Sequence, residues 1–283
     1  MERKSRHQTT WHLINIKSRR DQSTEHYIQI FQKLQKEDPM ISLPRGKCGS
    51  LKSVTFSELL DERNMVKWIK IILLSYTIVD PNAFYNKRNQ MDVDMDNWDS
   101  DIVANKKEVE LYFIPSVHTL AVRRNSDISL ANIVLYLSEA LNRLEPDTFD
   151  VDVLVERDIL DRILNAHAVY SIEANISFSN PGHTKGFEAV FDNKLRNMDP
   201  NRINITAKGS REHPLINEED GMLQAIVNLS EHNGNIKATI QPRANSKVEK
   251  IDSNEHPRIL VIPQIVNDVC STIYNTLLRR NNQ

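Results

Sequence analysis

Residues 91–99, Met-Asp-Val-Asp-Met-Asp-Asn-Trp-Asp, hold the densest run of metal-binding side chains in the sequence. Asp92, Asp94 and Asp96 fall at positions 1, 3 and 5 of a calcium loop, where alternate carboxylates converge on one cation. Position 6 of that pattern is Asn97 instead of glycine, and position 12 is Val103 instead of a bidentate glutamate. The segment therefore reads as an acidic loop and no metal is assigned to it. A solvated run, a docking surface for a basic partner and a mimic of phosphate charge all fit it.

Arg162 and His167 have the spacing of an arginine–histidine ribonuclease pair, in which arginine steadies a phosphorane while histidine moves protons. That chemistry belongs to an all-helical fold, whereas His167 opens a strand-like run, so the pair reads as a helix-to-strand junction. Residues 180–186, Asn-Pro-Gly-His-Thr-Lys-Gly, precede a helix whose N-terminus can hold phosphate, with Lys185 and His183 as contacts. They do not form a Walker loop. No dinucleotide fingerprint follows a strand, and the seven glycines are too few to favour one. GxSxG, HExxH and kinase signatures are absent, and Glu249-Lys250 lacks the spacer of a D…ExK nuclease. Cys48 and Cys270 form no CxxC pair and the nine histidines are scattered. These features argue against zinc and a disulfide framework, and suit a reducing cytoplasm. No catalytic residue and no cofactor is expected.

What remains is phosphate chemistry by charge. The net charge is −2, so any basic surface must be local. Arg19 and Arg20 close a basic N-terminal stretch. Arg123, Arg124, Lys208, Arg211, Arg243 and Lys247 fall at expected strand ends or loops, and with Lys185 they are the candidate nucleic-acid contacts. Tyr170 and Phe187 could stack on bases but read as core residues. Residues 80–101 carry six aspartates against Lys87 and Arg88.

The elements that must position these residues follow from periodicity. A strand is expected over 9–17, then a helix capped by Ser23 that buries Tyr27, Ile30, Phe31 and Leu34. Strands at 50–56 and 67–79, a polar loop over 82–105, a hairpin of 108–114 with 118–123, and a helix over 129–144 follow. Glu145-Pro146-Asp147 ends this helix and is the expected boundary between lobes 1–145 and 146–283. In the second lobe, strands are expected at 149–155, 168–178, 203–208 and 235–241, with 247–251 paired to 258–262. Helices are expected at 156–165, 187–198, 218–230 (capped by Asn217) and 265–279. The class is α+β, with mixed, largely antiparallel sheets and helices packed on one face, in two lobes. Hydrophobic residues are 40% of the 283, enough for a sizeable core. The apolar run at 68–79 is interrupted and falls short of the roughly 18–20 residues of a membrane span. The basic N-terminus has no apolar h-region, so a soluble, cytoplasmic protein without membrane contact is expected.

The order of elements carries a resemblance over nearly the whole chain. The helix STEHYIQIFQKL (23–34), the strand KIILLSYTIVDPNAFYN (70–86), the acidic loop and ELYFIPSVHTLAV (110–122) resemble a bacterial domain family of phage-defence neighbourhoods. From VYSIEANISFS (169–179) through INITAKGS (203–210) to NGNIKATIQ (233–241), the layout is similar to the RexA family of phage exclusion proteins, itself related in fold to RdgC. The resemblance implies a dimeric, sequence-tolerant DNA-binding protein in exclusion, defence or recombination control, with a partner defence protein also in view. A nuclease toxin using the aspartate loop or Arg162/His167, and an adaptor docking through its acidic loop, are the competing expectations.

Overall fold

A computed structural model describes residues 8–61, 65–93, 99–177, 186–198, 200–219, 221–263 and 268–281. The N-terminal half contains β1 (Gln8–Ser18), α1 (Thr24–Glu37), β2 (Ile41–Leu43), β3 (Lys47–Phe56), β4 (Ile69–Ile78), β5 (Phe84–Asn86), β6 (Met91–Val93), β7 (Val103–Ile114), β8 (Thr119–Arg123) and α2 (Leu130–Leu144). It is followed by β9 (Phe149–Val153), α3 (Arg157–Leu164), β10 (Ala168–Ile176), α4 (Gly186–Met198), β11 (Ile203–Lys208), α5 (Met222–Asn233), β12 (Gly234–Gln241), β13 (Glu249–Asp252), β14 (Ile259–Pro263) and α6 (Val269–Asn281). The fold is α+β, and every strand pairing among the described residues is antiparallel.

The larger sheet runs β14-β1-β8-β7-β4-β3-β2, with β9 pairing the C-terminal half of β1 on the edge that β14 uses further back. Alternate residues of its strands face opposite sides. Ile14, Ile16, Leu111 and Phe113 pack beneath α1 and α2. Trp11, Leu13, Tyr112 and Ile114 pack against Ile273, Tyr274 and Leu277 of α6. Helices thus cover both faces of this sheet, not one. The apolar stripe of α1 (Tyr27, Ile30, Phe31, Leu34) is fully buried, and each such side chain contributes about 1.5–3 kcal/mol. The Ser23 hydroxyl accepts from the His26 amide at 3.2 Å, and Ser129 caps α2 the same way at 3.3 Å. The Tyr27 hydroxyl donates to the Ile16 carbonyl at 3.0 Å, tying α1 to β1.

The smaller sheet runs β11-β10-β12-β13. Helix α5 lies over β10 and β12, and Arg162 of α3 reaches Glu249 of β13 at 2.6 Å. Helix α4 packs on α5 and leads into β11. Ile172, Ala174, Ile236, Ala238 and Ile240 point into this helical layer, and no described helix covers the opposite face. Helix α5 passes into β12 without a loop. Gly234 at that junction has φ +154°, and a Cβ there would stand 2.0 Å from the Asn175 carbonyl oxygen, so only glycine fits.

Several sequence expectations change. Segment 247–251 pairs with β12, and 258–262 with β1, because the β12–β13 turn folds back locally while β14 completes the larger sheet. Helix α5 starts after Gly221, beyond Asn217. The polar loop at 82–105 contains the β5–β6 hairpin and the first residues of β7. The turn at Glu145–Asp147 ends α2, but β9, β14 and α6 return to the larger sheet. The smaller sheet and its helices are therefore an insertion, whose two ends meet at a Val155–Pro257 bridge. Among the described residues no helix is long and apolar enough to cross a membrane.

Candidate nucleic-acid interface

The uncovered face of the smaller sheet is polar by strict alternation. In β11, Asn204, Thr206 and Lys208 are exposed while Ile203, Ile205 and Ala207 are half-buried. Register places Lys208 beside Ser171, Ser171 beside Thr239, and Thr239 beside Lys250, a row that crosses all four strands. The next row is Thr206, Glu173, Lys237 and Asp252, in which Lys237 pairs with Asp252 at 3.2 Å. Asn204, Asn175 and Asn235 form a third. At about 4.8 Å between strands, Lys208 and Lys250 stand about 14 Å apart across a shallow polar surface.

Two turns at one end of this sheet extend the positive row. After β11, the Gly209 amide donates to the Tyr170 carbonyl at 2.8 Å and the Ser210 amide to the His213 carbonyl at 2.9 Å, which fixes the turn carrying Arg211. Between β12 and β13, the Ser246 hydroxyl accepts from the Arg243 amide at 3.0 Å, and the Gln241 side chain donates to the carbonyls of Ala244 and Ser246 at 2.8 and 3.1 Å. That turn holds Arg243 and Lys247, both exposed. Lys208, Arg243, Lys247 and Lys250 make no ion pair within 4 Å among the described residues. Glu173, Asp252 and Glu255 are acids lining the same face, and Glu212 neighbours Arg211. The Tyr170 hydroxyl donates to Gln241 at 2.6 Å, leaving the ring half-buried at the rim.

The fold thus brings together four residues singled out in the sequence: Lys208, Arg211, Arg243 and Lys247. It adds Lys250, which the alternation around Ile251 marks as outward-facing. Arg123 and Arg124 are exposed at the end of β8, opposite Trp11 in the larger sheet and not on the smaller one. Arg20 is exposed beyond β1. Lys185 and His183 lie outside the described residues, as do Asp94 and Asp96.

Arg19 belongs to a different construction, a polar seam between the two sheets. Its guanidinium grips Asp150 with both arms, at 2.8 and 3.0 Å, and Asn201 Oδ1 at 2.5 Å. Arg202 pairs with Asp152 and donates to Asn175 at 2.8 Å. Lys17, opposite Asp150 in register and fully buried, donates to Ser177 Oγ at 3.3 Å and Asn233 Oδ1 at 3.1 Å. Burial lowers the Lys17 ammonium to about 8, against the pull of Asp150, Asp152 and Asp192. Burial raises the Asp152 carboxyl, and Arg202 opposes that shift. A cleft of about 430 Å³ opens beside this seam, lined by Arg19, Asp150, Asp152, Asn201, Arg202 and Asn235. Two aspartates lining a cleft beside a buried lysine are nuclease-like in composition. Here both aspartates are held by arginines, and no group of three metal-ligating side chains occurs among the described residues. The arrangement fastens one sheet to the other. Arg162, paired with Glu249, and His167 lie at the α3–β10 junction.

Fold and surface together define an antiparallel α+β protein of two main sheets and a small hairpin, with an inserted module whose free sheet face carries a cationic row. The chain belongs to the family described as a domain of unknown function, DUF4747, matched over residues 7–279. No curated protein matches it.

Proposed function

We propose that this protein binds nucleic acid, DNA in the first instance, on the uncovered face of the smaller sheet and acts without catalysis as a sensor or regulator in phage exclusion or defence. The observation that carries the binding is the Lys208–Ser171–Thr239–Lys250 row, with Arg211, Arg243 and Lys247 at its end. Lysines and arginines spaced along a shallow polar face address phosphates, which position a strand without reading its bases. Hydroxyl and amide side chains between them supply sugar and phosphate hydrogen bonds. The defence role rests on the resemblance to the RexA family, which also supports a dimer in the cytoplasm.

The test is an anisotropy titration of the full chain against short single-stranded and duplex DNA at two salt concentrations, with magnesium present and the products resolved on a gel. Salt-sensitive binding without cleavage supports the reading. Cleavage, or binding indifferent to salt, overturns it.

One observation favours a second reading, an adaptor. The β5–β6 hairpin exposes Tyr85 opposite Asp92 in register, in a segment that also carries the exposed Asp80, Asp99 and Asp101, which suits a basic protein partner. Partner capture that survives replacement of this hairpin by a short turn removes that reading.

A further inference from the structure

The sheet edges differ in how they are closed. In β14 the outward main-chain groups of Ile259 are both occupied: its amide donates to Glu156 at 2.8 Å and its carbonyl accepts from Arg280 at 3.1 Å. Pro263 at the end of β14 has no amide hydrogen. β2 has three residues, and β13 is guarded by Glu249, Lys250 and Asp252. Such devices keep an edge from recruiting another strand.

Among the described residues β11 has none of them. Its register with β10 is continuous from Ile203 to Lys208, it contains no proline, and its one charge is at the end. The Gly209 amide bonds to its register partner Tyr170, so the alternating bonds to β10 fall on Ile203, Ile205 and Ala207. The main-chain groups of Asn204, Thr206 and Lys208 point outward, with no main-chain partner among the described residues. On the helical side the edge leaves Ile203, Ile205 and Ala207 half-covered, and Met198, at the end of the helix leading into β11, is 69% exposed.

We propose that β11 is a homodimer edge, pairing antiparallel with β11 of a second copy about a two-fold axis through Thr206. In this register the outward groups of Thr206 bond to their own counterparts, and those of Asn204 bond to Lys208 of the second copy. Lysine faces asparagine, whereas a register centred on Ile205 would set Lys208 against Arg202. Beyond the strand ends, the turn after β11 carries Arg211, and Asn201, just before β11, donates its side-chain amide to the exposed carboxylate of Asp147 at 3.2 Å, so the two-fold sets the cationic end of each strand beside the end of its partner that carries Asp147. An isologous contact of this kind closes on itself and leaves no edge to propagate. The two smaller sheets become one, with their cationic rows on a continuous face. The pairing does not depend on nucleic-acid binding, and its test contains none.

The experiment uses the full chain. Light scattering after size exclusion is expected to show a dimer at micromolar concentration, and Thr206→Pro, which removes an outward amide from an edge strand, a monomer with unchanged circular dichroism. Directly opposed residues in a bonded pair have Cα atoms about 5.5 Å apart, within disulfide range, so oxidised Thr206→Cys is expected as a covalent dimer. Thr239→Cys, on the same face of a central strand, and the unmodified chain with Cys48 and Cys270 are expected to stay uncrosslinked. A monomeric parent chain, or a folded Thr206→Pro variant that remains dimeric, overturns the proposal. If Thr206→Pro fails to fold, the Thr206→Cys crosslink decides, and its absence overturns the proposal.

Discussion

Neutralising Lys208 and Lys250 together should change the salt dependence of DNA binding, not only its strength. The cations of the uncovered face and its end (Lys208, Lys250, Arg211, Arg243 and Lys247) can engage about five phosphates, giving log K against log [salt] a slope of about −3.5 for a single strand. Between 50 and 200 mM salt that slope weakens binding about 100-fold, and Lys208→Gln/Lys250→Gln, which leaves about three contacts, reduces the loss to about 20-fold with a slope near −2. The assay is fluorescence anisotropy with a labelled oligonucleotide at four or more salt concentrations, repeated with a second sequence of equal length. Arg123→Gln/Arg124→Gln, at the end of β8 in the larger sheet, should leave the slope unchanged. A parent slope shallower than about −1, or a Lys208/Lys250 variant whose slope equals the parent's, would refute the assignment of binding to this face.

The remaining expectations concern how the molecule is held together. Lys17 titrates lower in the folded chain (about 8) than in the unfolded one (10.5), so between these values the unfolded chain binds more protons and stability rises with pH. From pH 7 to 9.5 the parent should gain about 2 kcal/mol relative to Lys17→Met in urea denaturation, and parallel curves would contradict a buried ammonium. Arg202→Leu strands the buried Asp152 carboxylate and should cost about 3–5 kcal/mol, read as a lower urea midpoint, with part of the loss recovered in Arg202→Leu/Asp152→Asn. Gly234→Ala forces a Cβ into the Asn175 carbonyl and should cost about 3 kcal/mol or more, whereas Ser129→Ala, losing one helix cap, should cost about 1 kcal/mol by the same measurement.

The polar face was legible in the sequence because Ile-Asn-Ile-Thr-Ala-Lys alternates cleanly, and the basic residues of two turns could be named before their proximity was known. Lys250 was missed because Glu-Lys-Ile-Asp is too short to show its period, although Ile251 fixes which neighbours face outward. The destination of β14 was not legible. Ile-Leu-Val-Ile-Pro carries no periodic signal, and pairing with β1 is a tertiary outcome settled by the other side chains of both strands. Lys17 stands near Arg19 and Arg20 and reads as part of a solvated basic run. Counting by twos from Trp11 and Leu13 puts it on an inward face, where only partners distant in sequence, Ser177 and Asn233, make its burial tolerable. The same distance hides Arg19: nothing near it in sequence announces Asp150.

Because the inserted module leaves and rejoins the larger sheet at neighbouring points, the final strand and helix must close a structure begun at the first strand. The Thr9 hydroxyl donates to the Ile262 carbonyl across 253 positions of chain. On the ribosome, at about 5–20 residues per second, β1 would wait on the order of ten to fifty seconds for that partner. Throughout that interval the Trp11 and Leu13 side of β1 lacks both β14 and α6, while the inserted module, made entirely of later local contacts, can complete itself first. Synthesis order therefore runs against sheet order, and β1, made before the other strands of its sheet, is among the last to be enclosed.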